Sequence, residues 1–195
     1  MARLSIHDDA PFLTALEAAE FFLHVARERG GTLNHRQLQN LLYYAQGFSQ
    51  LSRGTLLFPE PIEAHDDGPT IAAVERVYAC HGDQPIPVPE GLTPLDHAWY
   101  PGSLIYATDL EFGSLNCEQL NEQLLSEPPW REARINGDVV DPQAVGQLLY
   151  EQVQANRARR GSKARVKWSD YLRQHPELAE RLQQAPESGD AIPLR

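Results

Sequence analysis

Residues 34–53 read NHRQLQNLLYYAQGFSQLSR, and this stretch decides the class of the fold. Asn34 suits the N-cap position of a helix, and Gln37 at the third position completes a capping box. Gly54 follows where the pattern ends. Apolar side chains recur between these points at helical spacing and would face a core. They are Leu38, Leu41, Leu42, Ala45 and Phe48. The sequence therefore predicts a helix from about residue 34 to residue 53.

Helical patterns also occur on both sides of this stretch. Thr14 and Glu17 form a capping box that predicts a first helix, which would end at Gly30. Apolar residues at helical spacing predict another helix over residues 116–125. Pro142 predicts one more start, because a proline at the first helical position loses no hydrogen bond.

The middle of the chain predicts less regular structure. Residues 56–64 have an extended pattern, and their prolines limit any strand to an edge or a short hairpin. Gly68 and Pro69 predict the start of a third helix, with the preceding aspartates, Asp66 and Asp67, at the positive end of its dipole. The buried side of that helix would comprise Ile71, Val74, Val77 and Tyr78. Further on, we expect a turn at residues 101–102 and a short strand over residues 103–108.

The charge of the chain is unevenly distributed. The net charge is −10, but residues 1–156 carry −14 and residues 157–195 carry +4. Six cations fall within eleven positions, followed directly by an aromatic residue that is a candidate anchor at an interface. These residues are Arg157, Arg159, Arg160, Lys163, Arg165, Lys167 and Trp168. This basic arm is either a solvated helix end or a contact for an acidic partner or a phosphate backbone. Further aromatic candidates for an interface anchor, each of which is alternatively a core residue, are Trp99, Tyr100 and Tyr171.

These patterns together predict a mainly α protein of the α+β class. We expect a compact helical domain of about five or six helices with a small β-hairpin or short sheet, and a basic helical arm after it. At 195 residues with 42% apolar residues, the chain is long enough to bury a core without disulfides. No apolar run approaches the length of a membrane span, and the N-terminus has no basic-then-apolar leader. A soluble, cytoplasmic protein without a membrane partner is expected.

Motifs that carry catalysis do not emerge from the sequence. There is no phosphate-binding glycine loop, no nucleophile elbow and no histidine pair at helical spacing. Cys80 and His81 are adjacent, and neighbouring residues on a helix point in different directions. We therefore expect no enzyme activity, no cofactor and no metal site.

The predicted helix over residues 34–53 also has an uncharged polar side. Gln39, Tyr43, Gln46 and Gln50 recur at spacings of four, three and four residues. Amides and phenols are favoured in protein contact patches, which makes these residues candidates for partner binding. The alternative is an internal polar seam, in which each group bonds a neighbouring helix or the backbone of residues 60–64.

Several of these segments resemble one known family. Residues 38–48 (LQNLLYYAQGF), followed by residues 57–64 (LFPEPIEA) and by Gly68-Pro69, resemble the Panacea domain of SocA-like antitoxins and of the phage-associated GepA proteins. Residues 126–134 (SEPPWREAR) resemble a later element of the same family, P-W-x-x-A-R. The resemblance covers roughly residues 14–155, so that it places the domain at residues 1–156 and the extension at residues 157–195.

The resemblance implies a function as well as a fold. The family is mainly helical with a small β element, and its bacterial and phage members are antitoxins that neutralise a partner toxin by direct contact. The resemblance also implies a set of framework positions. These are Tyr43, Tyr44, Gly47, Glu63, Gly68, Pro69, Trp130 and Arg134.

We therefore expect an antitoxin whose partner is a cognate protein toxin encoded by the adjacent gene. One alternative is a phage or prophage accessory protein, such as a proteolytic adaptor, that acts by protein binding. Another is an autoregulator that binds operator DNA through the basic arm. The oligomeric state stays open, a homo-oligomer included.

Overall fold

The computed structural model describes residues 12–89, 100–137 and 139–160. These residues contain seven α-helices, a short 3₁₀ helix (Ala79–His81) and one two-stranded antiparallel sheet. The predicted class, mainly α with a small β-hairpin, is confirmed. The helices are α1 (Ala15–Glu28), α2 (His35–Arg53), α3 (Ala72–Tyr78), α4 (Tyr100–Phe112), α5 (Cys117–Ser126), α6 (Pro128–Asn136) and α7 (Pro142–Arg160). The strands are β1 (Glu63–His65) and β2 (Gly68–Thr70).

Helix α2 lies at the centre of the fold. It begins after the predicted capping box, in which the Asn34 side chain accepts the backbone N–H of Gln37 at 2.9 Å, and it ends at Gly54 in a left-handed conformation. Residues 38–47 are all buried, because α1, α4, α5 and β2 pack around this helix. The predicted apolar side of α2 is therefore only part of its buried surface.

The hairpin replaces the predicted helix start at Gly68 and Pro69, and that prediction is wrong. Strands β1 and β2 pair in the register Glu63↔Thr70 and His65↔Gly68. Gly68 has a φ of 139°, which no helix contains, and the helix begins only at Ala72. On α3 itself, Val77 is 46% exposed, although its predicted companions Ile71, Val74 and Tyr78 are buried.

Two helices begin at or next to a proline. The predicted turn at residues 101–102 and strand over residues 103–108 are wrong, because this segment forms α4. Pro101 occupies the first turn of that helix, where its missing N–H costs no hydrogen bond. Pro128 likewise begins α6, which the sequence did not predict.

Helix α7 crosses α2 at a pair of glycines. A Cβ atom on Gly47 would lie only 3.0 Å from Leu149 Cδ1 and still closer to Val145. A Cβ atom on Gly146 would lie 3.0 Å from the carbonyl oxygen of Gly47. Real Cβ atoms rarely approach other atoms so closely, and the two backbones therefore meet here only because both residues lack a side chain.

The basic arm lies largely outside the described residues. Arg157, Arg159 and Arg160 belong to the last turns of α7, and their side chains are not described. Lys163, Arg165, Lys167 and Trp168 lie beyond residue 160. The first compact unit of the chain ends at Val153. The division into residues 1–156 and 157–195 stays a prediction. Among the described helices, none combines the length and apolar character that crossing a bilayer requires.

Candidate functional site

The uncharged polar side of α2 faces the interior of the molecule. Gln39 and Gln46 are 2% exposed and Tyr43 is fully buried, because neighbouring elements enclose this helix. The interpretation of Gln39, Tyr43 and Gln46 as a contact patch is therefore wrong, because these three side chains form an internal polar seam. Gln50 is half-buried and lines a shallow groove between α2 and α7.

The two buried glutamines bond backbone groups of neighbouring segments. Gln46 accepts the N–H of Leu57 at 2.8 Å and donates to the carbonyl oxygen of Phe58 at 2.9 Å. Gln39 accepts the N–H of Ile71 at 3.0 Å. These partners differ from the predicted backbone of residues 60–64. The glutamines hold in place two irregular segments, one before the hairpin and one after it.

A buried carboxylate accepts hydrogen bonds from both tyrosines of α2. Tyr43 donates to Glu127 Oε2 at 3.1 Å, and Tyr44 donates to Glu127 Oε1 at 2.9 Å. Gln123 donates to the Tyr44 hydroxyl at 3.3 Å, and the Tyr44 ring stacks on Phe112 with 3.9 Å between ring centroids. Glu127 separates α5 from α6 and is 4% exposed. We call Tyr43, Tyr44 and Glu127 the tyrosine–glutamate cluster.

Burial dominates the electrostatics of this cluster. It raises the pKa of Glu127, and the hydrogen bonds from Tyr44 and Tyr43 oppose that rise. Burial also raises the pKa of both tyrosines, and the Glu127 charge raises it further. Sequence reasoning gave Glu127 no role. Its position directly before two prolines, in the segment that carries the family resemblance, was the available signal.

A polar pocket opens beside the hairpin, next to the first turns of α2. Its cavity volume is about 200 Å³. We call it the hairpin pocket. It is lined by α2, the hairpin and α3 through His35, Arg36, Gln39, Asn40, His65, Asp67, Gly68, Pro69, Thr70 and Glu75. Among the predicted site residues, the pocket brings together Gln39, Gly68 and Pro69.

One ion pair and one histidine–carboxylate contact line the hairpin pocket. Arg36 donates to the main-chain oxygen of Asp67 and to its carboxylate, the latter at 2.8 Å. His35 Nε2 lies 3.0 Å from the Glu75 carboxylate. Hydrogen bonding to Arg36 lowers the pKa of Asp67. Burial lowers the pKa of His35, although Glu75 opposes that shift. These shifts favour the neutral form of His35 and the charged form of Asp67.

Deeper in the pocket, two carboxamides meet beside Gly68. Asn40 is fully buried and donates from Nδ2 to Asn121 Oδ1 at 3.3 Å. A Cβ atom on Gly68 would lie 3.1 Å from Asn121 Oδ1 and 3.6 Å from Asn40 Oδ1. The positive φ of Gly68 and the close approach of Asn121 Oδ1 both favour glycine at this position.

Arg134 ties α6 to the hairpin. Its guanidinium donates to the carbonyl oxygen of Ala64 at 3.1 Å and pairs with Asp66. Asp66 and Asp67 thus bind arginines from two helices, and their predicted role at a helix dipole is wrong. Of the remaining framework positions, Pro69 is buried and Trp130 packs on the core. The Glu63 side chain in β1 is 39% exposed, and its carboxylate lies 2.9 Å from His65.

Only one of the aromatic candidates for an interface anchor lies among the described residues. Tyr100 is half-buried, donates to or accepts from Ser52 at 2.6 Å, and lies 3.9 Å below the Arg53 guanidinium. The other candidates, Trp99, Trp168 and Tyr171, lie outside the described residues.

Comparison with models of protein families, with curated proteins and with solved structures finds no match to this chain. The resemblance to the Panacea domain therefore rests on the motif residues alone. Within residues 12–89, 100–137 and 139–160, no group of three or more His, Cys, Asp or Glu side chains is placed to hold a metal ion.

Proposed function

We propose that this protein is an antitoxin, which neutralises a protein toxin encoded by the adjacent gene through direct binding. It acts in the cytoplasm and catalyses no reaction. The observation that carries the proposal is the placement of the motif residues. Those that resemble the Panacea domain join separate elements of the fold to one another.

Three such joints support a shared fold. Tyr43 and Tyr44 connect α2 to the junction of α5 and α6, through Glu127. Gly47 allows α7 to cross α2, and Arg134 connects α6 to the hairpin. A family that uses one packing scheme for many partners would keep such positions and vary its surface. The motif residues therefore favour the family's mode of action, which is protein binding.

The environment of Glu127 favours a structural role over a catalytic one. A general base must come within hydrogen-bond reach of its substrate. Glu127 is 4% exposed and its two oxygens already accept phenolic hydrogens, so a substrate has no route to it. The tyrosine–glutamate cluster is better explained as a structural joint.

The charge of the main domain favours a basic partner. Residues 1–156 carry a net charge of −14, which would accelerate encounter with a positively charged toxin and repel acidic proteins. A toxin that acts on nucleic acid has such a basic surface.

Co-expression with the adjacent gene tests the proposal. The neighbouring product alone should arrest growth, growth should return when this chain is co-expressed, and the two purified proteins should co-elute as one complex. A neighbour that is harmless, or one whose toxicity persists beside a well-expressed antitoxin, would contradict the proposal.

The basic arm is tested in the same assay with the full-length chain. Replacing the six arm cations with glutamine should weaken the rescue if the arm contacts the toxin. The six are Arg157, Arg159, Arg160, Lys163, Arg165 and Lys167. Rescue that is unchanged by these substitutions would exclude the arm from the contact.

A further inference from the structure

One buried acceptor in the hairpin pocket lacks a donor. Asn40 Oδ1 is buried in the wall of the pocket, and nothing among the described residues donates to it. Buried side-chain oxygens in native proteins nearly always accept a hydrogen bond. An unsatisfied acceptor in the wall of a cavity therefore indicates a donor that arrives from outside the chain.

The donors around Asn40 are already engaged. Arg36 bonds Asp67 through both the main chain and the carboxylate. The Asn40 Nδ2 group itself donates to Asn121. A Cβ atom on Gly68 would lie close to both amide oxygens and 3.9 Å from Arg36 Nη1. A group that enters the pocket beside Gly68 would meet two amide oxygens within a few ångströms of each other.

The charges around the pocket favour a cation as that group. Asp67 and Glu75 carry carboxylates that are 66% and 44% exposed, so an incoming group can reach both. Arg36 contributes one positive charge, and burial favours the neutral form of His35. The two carboxylates therefore leave a net charge of about −1 here, within a domain that carries −14.

The size of the cavity favours a side chain over a cofactor. Sites for drug-sized ligands have volumes of about 300–1,000 Å³. The hairpin pocket, at about 200 Å³, has room for the end of one long side chain.

We propose that the hairpin pocket receives a lysine or arginine side chain of the partner protein. A terminal N–H donates to Asn40 Oδ1, and the positive charge pairs with Glu75 and Asp67. This assignment rests on the proposed function for the identity of the partner as a toxin. The pocket is formed only by residues of this protein, so its preference for a basic side chain can be measured without the toxin.

Nuclear magnetic resonance titration of the ¹⁵N-labelled full-length chain tests that preference. The basic probes are N-acetyl-lysine methylamide and N-acetyl-arginine methylamide. The norleucine and glutamate analogues are the controls. At least one basic probe should shift the Gly68 backbone amide and the Asn40 side-chain amide in a saturable manner. Equal shifts with norleucine, or basic-probe shifts that cluster elsewhere, would overturn the assignment.

Substitutions at the mouth of the pocket provide the matched comparison. Glu75→Gln should weaken basic-probe binding about fivefold, the size of one partly exposed ion pair. The double variant with Asp67→Asn should abolish it. Both side chains are substantially exposed, so that the fold should persist, which circular dichroism would verify. Glu111→Gln makes the same change in net charge at an exposed site on α4 and should leave binding unchanged. Equal affinities of Glu75→Gln and Glu111→Gln would refute the assignment.

Failure of the pocket and failure of the antitoxin function give different results. If the protein rescues growth and binds the toxin but does not bind the basic probes, the antitoxin function stands and the assignment of the pocket is refuted. If the protein binds the probes at Gly68 but neutralises no adjacent toxin, the assignment of the pocket stands and the antitoxin function is refuted.

Discussion

Replacing Glu127 with alanine should remove a large part of the stability of the fold. The substitution leaves the hydroxyls of Tyr43 and Tyr44 buried without their acceptor. Each such group costs about 1–3 kcal/mol, which gives about 2–6 kcal/mol for the pair. Removal of a buried charge offsets part of this loss, so that we expect a net destabilisation of about 2–4 kcal/mol. Domains of this size are stable by only about 5–15 kcal/mol.

Glutamine at the same position is the matched control. Glu127→Gln keeps an acceptor oxygen and the side-chain shape, and we expect it to cost about 1 kcal/mol or less. Urea unfolding of the three proteins, followed by circular dichroism, measures these differences. The reasoning would be refuted if the alanine variant unfolded at the same urea concentration as the unchanged chain, or if glutamine cost as much as alanine.

The pH dependence of the same variants gives the sign of the charge effect. Burial raises the pKa of Glu127 in the folded chain above its ordinary value of 4.5. Between the two pKa values the folded state binds more protons than the unfolded state, so that stability falls as pH rises. The contribution of Glu127 is therefore fully present below pH 4.5 and is lost as pH rises through the folded pKa. The stability difference between the unchanged chain and Glu127→Gln should shift in favour of glutamine over this range.

Three further predictions concern Gly47, Arg134 and His35. Gly47→Ala should destabilise the chain by about 1–3 kcal/mol, because its methyl group would overlap α7; a cost near zero in urea unfolding would contradict the crossing. Arg134→Ala should remove the bond to Ala64 and speed amide hydrogen exchange in β1, and unchanged exchange there would count against this tie. The imidazole of His35 should titrate below pH 6.5 by nuclear magnetic resonance, and lower still in Glu75→Gln, since Glu75 raises its pKa; a midpoint above 6.5 would contradict its burial.

The sequence best predicted those helices whose ends depend only on residues close together in the chain. The capping boxes at Thr14 and Asn34 begin helices where expected, because both partners of each box lie within four residues. A helix over residues 116–125 was also expected and is present as α5. These elements follow from contacts between near neighbours in the chain.

The errors arose where distant residues decide the structure. Gly68 and Pro69 fit a helix start locally, but Arg36 and Arg134 bind the two aspartates that precede them and stabilise a hairpin turn. The uncharged polar side of α2 is likewise compatible, from the sequence alone, with an exposed contact patch or with an internal polar seam. Only the packing of later helices around it decides between them, and Glu127 supplies its acceptor from far along the chain.

Protein synthesis makes the tyrosines of α2 long before their acceptor. Glu127 follows Tyr43 by 84 residues and Tyr44 by 83 residues. At about 5–20 residues per second, the ribosome needs about 4–17 s to add that length of chain. During this interval water is the hydrogen-bond partner of both phenols, and the core around α2 cannot yet close over them with Glu127 in place. The order in which this molecule is made therefore delays the closure of its own core.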